Sequence, residues 1–182
     1  MKKNDLLKTS IAILQELVSF DTTSRESNLA LIEHIQSYLD NLGIESRLTH
    51  DATATKANLW ATIGPNKPGG IVLSGHLDVV PIDGQEWSAD AFNMWQDDGK
   101  LFGRGTVDMK GFIAVCLAMA PQFLQANSQI PIHFAFTYDE EIGCVGVHGL
   151  LRDVVDNLPR PRAVIVGEPT SCLLYTSPSP RD

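Results

Sequence analysis

Apolar residues recur at helical spacing over two early stretches of the chain. Leu7, Ile11, Leu14 and Val18 predict a helix over Leu6–Phe20, with Asp5 as its N-cap. Leu31, Ile35, Leu39 and Leu42 predict a second helix over Asn28–Leu42, closed by Gly43. Beyond them the period shortens. Asn58–Ile63 is partly alternating and reads as a strand, and Gly64-Pro65-Asn66-Lys67-Pro68-Gly69-Gly70 is a turn before a short apolar strand, Ile71–Ser74. Pro81–Lys100 reads as a long polar loop, with Trp87, Phe92 and Trp95 able to pin it to a core. Met109–Leu124 is a strongly apolar helix and Ile132–Tyr138 an almost wholly apolar strand. Val147–Val155 then reads as a helix and Ala163–Val166 as another buried strand. Strands separated by helices predict an α/β fold with a largely parallel sheet flanked by helices.

Length and composition narrow this picture. A chain of 182 residues suits one domain with one core, and 43% hydrophobic with 20% charged residues is the composition of an ordinary globular protein. A net charge of −8 without any basic run argues against nucleic acid or an anionic membrane as partner. Met1-Lys2-Lys3 could open a secretory signal, but Gln15 and Glu16 interrupt the apolar stretch Ile11–Val18 and no small-residue cleavage site follows. No apolar run reaches the roughly 18 residues of a membrane helix. Cys116, Cys144 and Cys172 lack CxxC spacing, so neither a disulfide framework nor a thiolate zinc site is expected, and the expected location is cytoplasmic. Cys116 reads as core filling, as do Met109 and Met119. His34, His50, His133 and His148 read as packing or surface residues, and Asp153 and Asp156 as a solvated face. Gly103-x-Gly105 with Lys110-Gly111 fits neither the dinucleotide nor the P-loop spacing.

Acidic and imidazole groups fall where strands end. His76 and Asp78 follow Ile71–Ser74, Glu140 and Glu141 follow Ile132–Tyr138, and Glu168 follows Ala163–Val166. In open α/β sheets, sites form beyond the carboxyl ends of the strands, so these groups can converge. Asp108 stands at the mouth of the helix Met109–Leu124, where the helix dipole favours a carboxylate. One imidazole with several carboxylates suits Zn2+, Co2+ or Mn2+. Two residues apart in an extended segment, His76 and Asp78 project to one side, so Asp78 can hold the second imidazole nitrogen and orient the ring. Glu140 and Glu141 are adjacent and point differently, so one can bind metal while the other serves as a base.

Four segments in order carry a family resemblance. Ser74-Gly75-His76-Leu77-Asp78-Val79-Val80-Pro81, Gly103-Arg104-Gly105-Thr106-Val107-Asp108-Met109-Lys110-Gly111, Asp139-Glu140-Glu141-Ile142-Gly143 and Gly167-Glu168-Pro169-Thr170-Ser171 resemble the successive motifs of the dinuclear zinc amidohydrolases and exopeptidases. That family includes acetylornithine deacetylases, succinyl-diaminopimelate desuccinylases, aminoacylases and carboxypeptidases. The likeness spans roughly residues 5–171 and is nearest to the acetylornithine deacetylase branch, through Thr55-Lys56-Ala57-Asn58-Leu59, Asp83-Gly84 with Trp87 and Phe92, and Thr137-Tyr138-Asp139-Glu140-Glu141. Ala91 departs from the proline usual before Phe92.

The resemblance implies a zinc-exopeptidase-like catalytic domain, truncated here, in which His76 and Glu168 bind a first zinc, Glu141 a second, and Asp108 bridges the two. It implies Asp78 as the residue orienting His76, Glu140 as the general base, and a cis peptide at Asp108–Met109. The implied reaction is hydrolysis of N2-acetyl-L-ornithine to acetate and ornithine in arginine biosynthesis, in a small-molecule N-acyl amino acid hydrolase that is a homodimer at full length. The family's late metal-site histidine and its lid domain are not within these 182 residues, so the chain by itself is expected to bind at most one metal tightly and to be inactive. Residues 1–171 are thus expected to form a partial metal-dependent catalytic domain. Residues 172–182 match a reading frame of a widely used transposase sequencing adapter and are expected to be a non-native tail, the alternative being a disordered terminus.

Overall fold

The computed structural model describes residues 3–169, so the expectation for residues 172–182 lies outside the described residues. Two helices open the chain, α1 (Lys3–Val18) and α2 (Leu29–Asn41), followed by strands β1 (Ser46–His50), β2 (Ala57–Ile63) and β3 (Ile71–His76). A small hairpin, β4 (Trp95–Asp97) and β5 (Lys100–Phe102), precedes α3 (Lys110–Ala126), β6 (Ile132–Thr137), α4 (Val147–Asp156) and β7 (Ala163–Val166). The sheet order is β1-β2-β6-β3-β7. β6, β3 and β7 run parallel, whereas β1 and β2 are antiparallel to their neighbours, so the α/β sheet is mixed and its parallel part lies on the β3 side.

Side chains alternate across this sheet, and each face meets different partners. Leu59, Ala61, Ile63, Phe134 and Phe136 pack with Leu17, Ile32, Ile35, Leu39, Ile113 and Leu117 of the first three helices. Trp60, Val72 and Ala135 point the other way and meet Leu150 of α4. Gly75 is what lets α3 close on β3, because a Cβ there would lie 2.9 Å from Met109 Cε. The His76 amide sits 3.2 Å from Met109 Sδ, which brings the residue after Asp108 directly onto the strand that ends in His76. At the other end of the same motif, the fully buried Lys110 donates to the carbonyls of Leu17 (3.0 Å) and Phe20 (2.8 Å), satisfying carbonyls at the end of α1.

Several expectations change. Asp5 lies inside α1 rather than capping it, because the helix already includes Lys3. The polar loop contains β4 and runs into β5, with which it forms a hairpin; its rings meet one another and β5 (Trp87 against Trp95, Trp95 against Phe102), and Ala91 and Met94 are its buried residues. Asp153 is not on a solvated face. It is 8% exposed and takes a bidentate pair from Arg47 at 2.6 and 2.8 Å, with Thr49 and Asn157 also bonded to it. β7 is a strand but not a buried one: as the sheet's edge strand it leaves Val164, Ile165 and Val166 at 54%, 50% and 58% exposure. Cys116 and Met109 are core residues, as read.

Candidate metal centre

Three parallel strands deliver the acids to one place. β3 ends at His76, with Asp78 two residues on; β6 is followed by Glu140 and Glu141, and β7 by Glu168. The loop into α3 adds Asp108, through a cis peptide between Asp108 and Met109. All six residues singled out in the sequence meet at this end of the sheet.

His76 forms the floor. Its side chain is 1% exposed, while Asp108, Glu140 and Glu168 are 51%, 38% and 38% exposed at the rim. Its Nδ1 lies 2.8 Å from the Asp78 carbonyl oxygen and 3.5 Å from the Asp78 carboxylate. The carbonyl therefore takes the hydrogen bond and the carboxylate supplies charge, a division of labour that spacing alone could not reveal. With Nδ1 so occupied, Nε2 faces the acids: Asp108 at 2.9 Å, Glu168 at 3.6 Å and Glu140 at 3.9 Å. His76, Asp108 and Glu168 can each bring a donor atom within 4.8 Å of the others, and so can His76, Glu140 and Glu141. Glu141 shares a second concavity with Asp108 and the Gly103–Val107 loop. A cavity of about 230 Å3 opens beside the floor, lined by His76, Tyr138, Glu140, Cys144 and Glu168 among others.

The electrostatics follow from burial and crowding. Burial lowers the His76 imidazole, but hydrogen bonding and charge from Asp78, and then Glu168, outweigh it and hold it up to about 9. Burial pushes Glu141 up, and the neighbouring carboxylate of Asp108 adds to this; Glu168 is raised by burial and by Asp108 and Glu140. Asp78 is buried too, which opposes its ionisation. The nearby His76 imidazole and the hydrogen bonds from Ser24 and the Glu140 amide reverse that and keep it below the ordinary carboxylate range. Carboxylates that raise one another's affinity for protons form a site a divalent cation would relieve, and the donor set fits one: an imidazole nitrogen with two carboxylates gives the three protein ligands of a catalytic zinc site.

Some contributors were not evident from the sequence. Ser24 Oγ donates to Asp78 Oδ2 at 2.7 Å, and the amides of Glu140 and Glu141 donate to the same carboxylate at 3.0 and 3.2 Å. Thr22 Oγ1 donates to the Leu77 carbonyl at 2.6 Å. The polar run Asp21-Thr22-Thr23-Ser24 between two amphipathic helices was the available signal for these contacts.

Comparison with known proteins gives the family. The model of peptidase family M20/M25/M40 matches residues 72–176. The acetylornithine deacetylase of Myxococcus xanthus is 39% identical over 172 residues, covering 92% of this chain and 43% of its own length. That of Pasteurella multocida (strain Pm70) is 36% identical over 154 residues, covering 84% of this chain and 39% of its own. The chain thus spans about two fifths of the length of these curated relatives. Among solved structures, the M20 family metallo-carboxypeptidase Sso-CP2 from Sulfolobus solfataricus aligns with a TM-score of 0.76 at 20% identity, over 92% of this chain and 37% of that one. Human carnosine dipeptidase 1 aligns at 0.73 and 22% identity, over 91% of this chain and 38% of its own. At such identities the likeness is one of fold.

Proposed function

The chain belongs to peptidase family M20/M25/M40, and from that premise we propose that it is the metal-binding part of a zinc-dependent amide hydrolase that deacetylates N2-acetyl-L-ornithine in arginine biosynthesis. The observation that carries the metal-dependent part is the convergence of His76 Nε2 with Asp108, Glu168 and Glu140 at the carboxyl ends of parallel strands. The likeness to curated acetylornithine deacetylases at 36% and 39% identity supports the substrate.

In this reading His76, Asp108 and Glu168 hold a first ion, and Asp108 and Glu141 contribute to a second. Zn2+ suits the donors, with Co2+ or Mn2+ as substitutes. The chemistry a bound divalent ion supplies is Lewis acidity toward a carbonyl oxygen and acidification of water, to a pKa of about 7 on a single zinc. Asp78 keeps the imidazole turned so that Nε2 faces the acids. Glu140 stands at the rim, where it can accept the proton of the attacking water and return it to the departing amine. The substrate is a small N-acyl amino acid, and the full-length protein acts as a cytoplasmic homodimer. Among the described residues, no helix is long and apolar enough to cross a membrane.

The test uses a chain extended to the length of the curated relatives. Glu140→Gln should abolish acetylornithine hydrolysis and leave zinc affinity within about threefold, because the base goes while the ligands stay. Surviving activity would overturn the base assignment. A tenfold preference in kcat/KM for N-succinyl-diaminopimelate or a dipeptide over acetylornithine would overturn the substrate.

A further inference from the structure

We infer that Lys56 is a positioning residue for this centre: its ammonium clamps together the two segments that cradle the Asp78 carboxylate, and through Asp78 it sets His76. The inference rests on the reading of His76 as a metal ligand only for its functional consequence; the clamp itself stands on the following contacts.

The Asp78 side chain is 3% exposed, so its charge depends on the donors given to it. These are Ser24 Oγ, the Glu140 amide and the Glu141 amide. They come from separate parts of the chain, Ser24 from the connection between α1 and α2 and the two amides from the turn after β6. Lys56, immediately before β2, bridges both. Its Nζ donates to the Ser24 carbonyl and, at 2.6 Å, to Asp139 Oδ1. The Lys56 and Asp139 side chains are 15% and 12% exposed, so water competes little for this pair.

Asp139 is the hinge of the turn. Its φ of 56° lies in the left-handed region, which asparagine and aspartate tolerate better than most residues, and the next two amides, of Glu140 and Glu141, are the ones that meet Asp78. Lys56 reaches out from a firm base. Its own amide donates to Asp51 Oδ1 at 2.9 Å, and Ala57 exchanges two 2.9 Å bonds with the Asn28 side chain. One charged group therefore fixes Ser24 and Glu140–Glu141 relative to each other, while touching none of the residues assigned as ligands.

Two roles separate experimentally. An ion pair that only stabilises the fold would, when lost, loosen the whole domain; a clamp would loosen the cradle alone. Hydrogen exchange of the 182-residue chain by NMR, with no metal added, reads this directly. Lys56→Met should speed exchange of the Glu140 and Glu141 amides tenfold or more while leaving Phe134 and Phe136 of β6 unchanged, and Lys56→Arg should recover most of the protection. Unchanged exchange at Glu140 and Glu141, or equal acceleration in β6, overturns the clamp. Should Lys56→Met fail to fold, the double variant Lys56→Met with Asp139→Asn avoids an unpaired buried charge and carries the same comparison. Zinc titration is the second readout, with affinity 10- to 100-fold weaker in Lys56→Met, the range for outer partners of metal ligands. A wild-type chain that binds no zinc sinks the metal reading, and the exchange rates still decide the clamp.

Discussion

Two histidines on neighbouring strands show how much their neighbours decide. His76 and His133 are 2% and 0% exposed, and both point to the face of the sheet that carries α4. They sit at opposite ends of that face, and their protonation runs in opposite directions. His76, among the carboxylates at the carboxyl ends of β3, β6 and β7, is held up to about 9 against its burial. His133, near the amino end of β6, stacks on Trp60 with ring centroids 4.7 Å apart, and burial alone lowers it. Burial penalises the charged form of both; only one has partners that reverse the penalty. The acids gathered at one end of the sheet, with none among the described residues shifting His133, make the difference between a candidate ligand and a core residue.

The largest effect should come from removing the ligand itself. His76→Ala is expected to weaken zinc binding to the 182-residue chain by at least a hundredfold in calorimetry, whereas His133→Phe should leave it within threefold. Equal losses would dissolve the contrast. The same titration should give no more than one tightly bound zinc per chain, because Asp108 and Glu141 alone are too few protein donors for a second firm site.

Removing the partner tests the cause. Asp78→Asn keeps the shape but not the charge, so the His76 imidazole should fall from about 9 toward or below its ordinary value. Zinc affinity, corrected for the proton that His76 gives up on binding, is then expected to drop 10- to 100-fold, as for other outer-sphere changes. Affinity indistinguishable from wild type would mean that the carbonyl of Asp78, not its carboxylate, does all the orienting.

How much of this contrast could be read from sequence depends on the range of the interaction. The stripes of α1 and α2, the apolar runs of β3 and β6, and the placing of His76, Asp78, Asp108, Glu140, Glu141 and Glu168 at element ends are local patterns, and all were legible. β1 was not. Its Ser46-Arg47-Leu48-Thr49-His50 carries one strongly apolar residue, because a half-exposed edge strand needs no apolar face of its own. Nor could Asp153 be recognised as buried, since the Arg47 that neutralises it lies 106 residues away. Lys56 and Ser24 stayed hidden for the same reason: their partners are assembled only when the loops after α1 and β6 meet. β7 misled in the other direction, its apolar composition promising burial that an edge position withholds.

Acidity and alkalinity should separate the two histidines in the chelator-treated chain. His133 has a lowered folded-state value, so the unfolded chain takes up its proton first. Its contribution is present above about 6.5 and falls away as the pH drops below that, before the carboxylates begin to protonate. His76 is raised, so its contribution is full below about 6.5 and is lost as the pH rises through about 9. Each limb is limited to one proton, or about 1.4 kcal/mol per pH unit. Burial pushes the Lys110 ammonium down to about 7, which opposes the His76 limb at alkaline pH. The urea midpoints therefore decide the acid side: across pH 5 to 7 they should fall as the pH falls, and His133→Phe should flatten that limb. A His133→Phe chain that keeps the acid limb would show that other groups set the profile.

The smallest effect concerns what His133 does have. Trp60 Nε1 lies 3.1 Å from Thr62 Oγ1, and the same oxygen lies 3.0 Å from His133 Nδ1. An indole can only donate, so Thr62 accepts from Trp60, and either its hydroxyl proton or its second lone pair meets Nδ1. The other ring nitrogen, Nε2, has no hydrogen-bond partner among the described residues. Thr62→Val deletes the one polar contact the ring retains and leaves the indole N–H unpaired as well. The expected cost is about 1–3 kcal/mol, seen as a lower urea midpoint with an unchanged m-value. Zinc binding should not change, since the acids at the far end of the sheet are untouched. If instead Thr62→Val were neutral in stability, the hydroxyl would contribute nothing to holding this histidine. Stacking on Trp60 and burial would then account for it entirely.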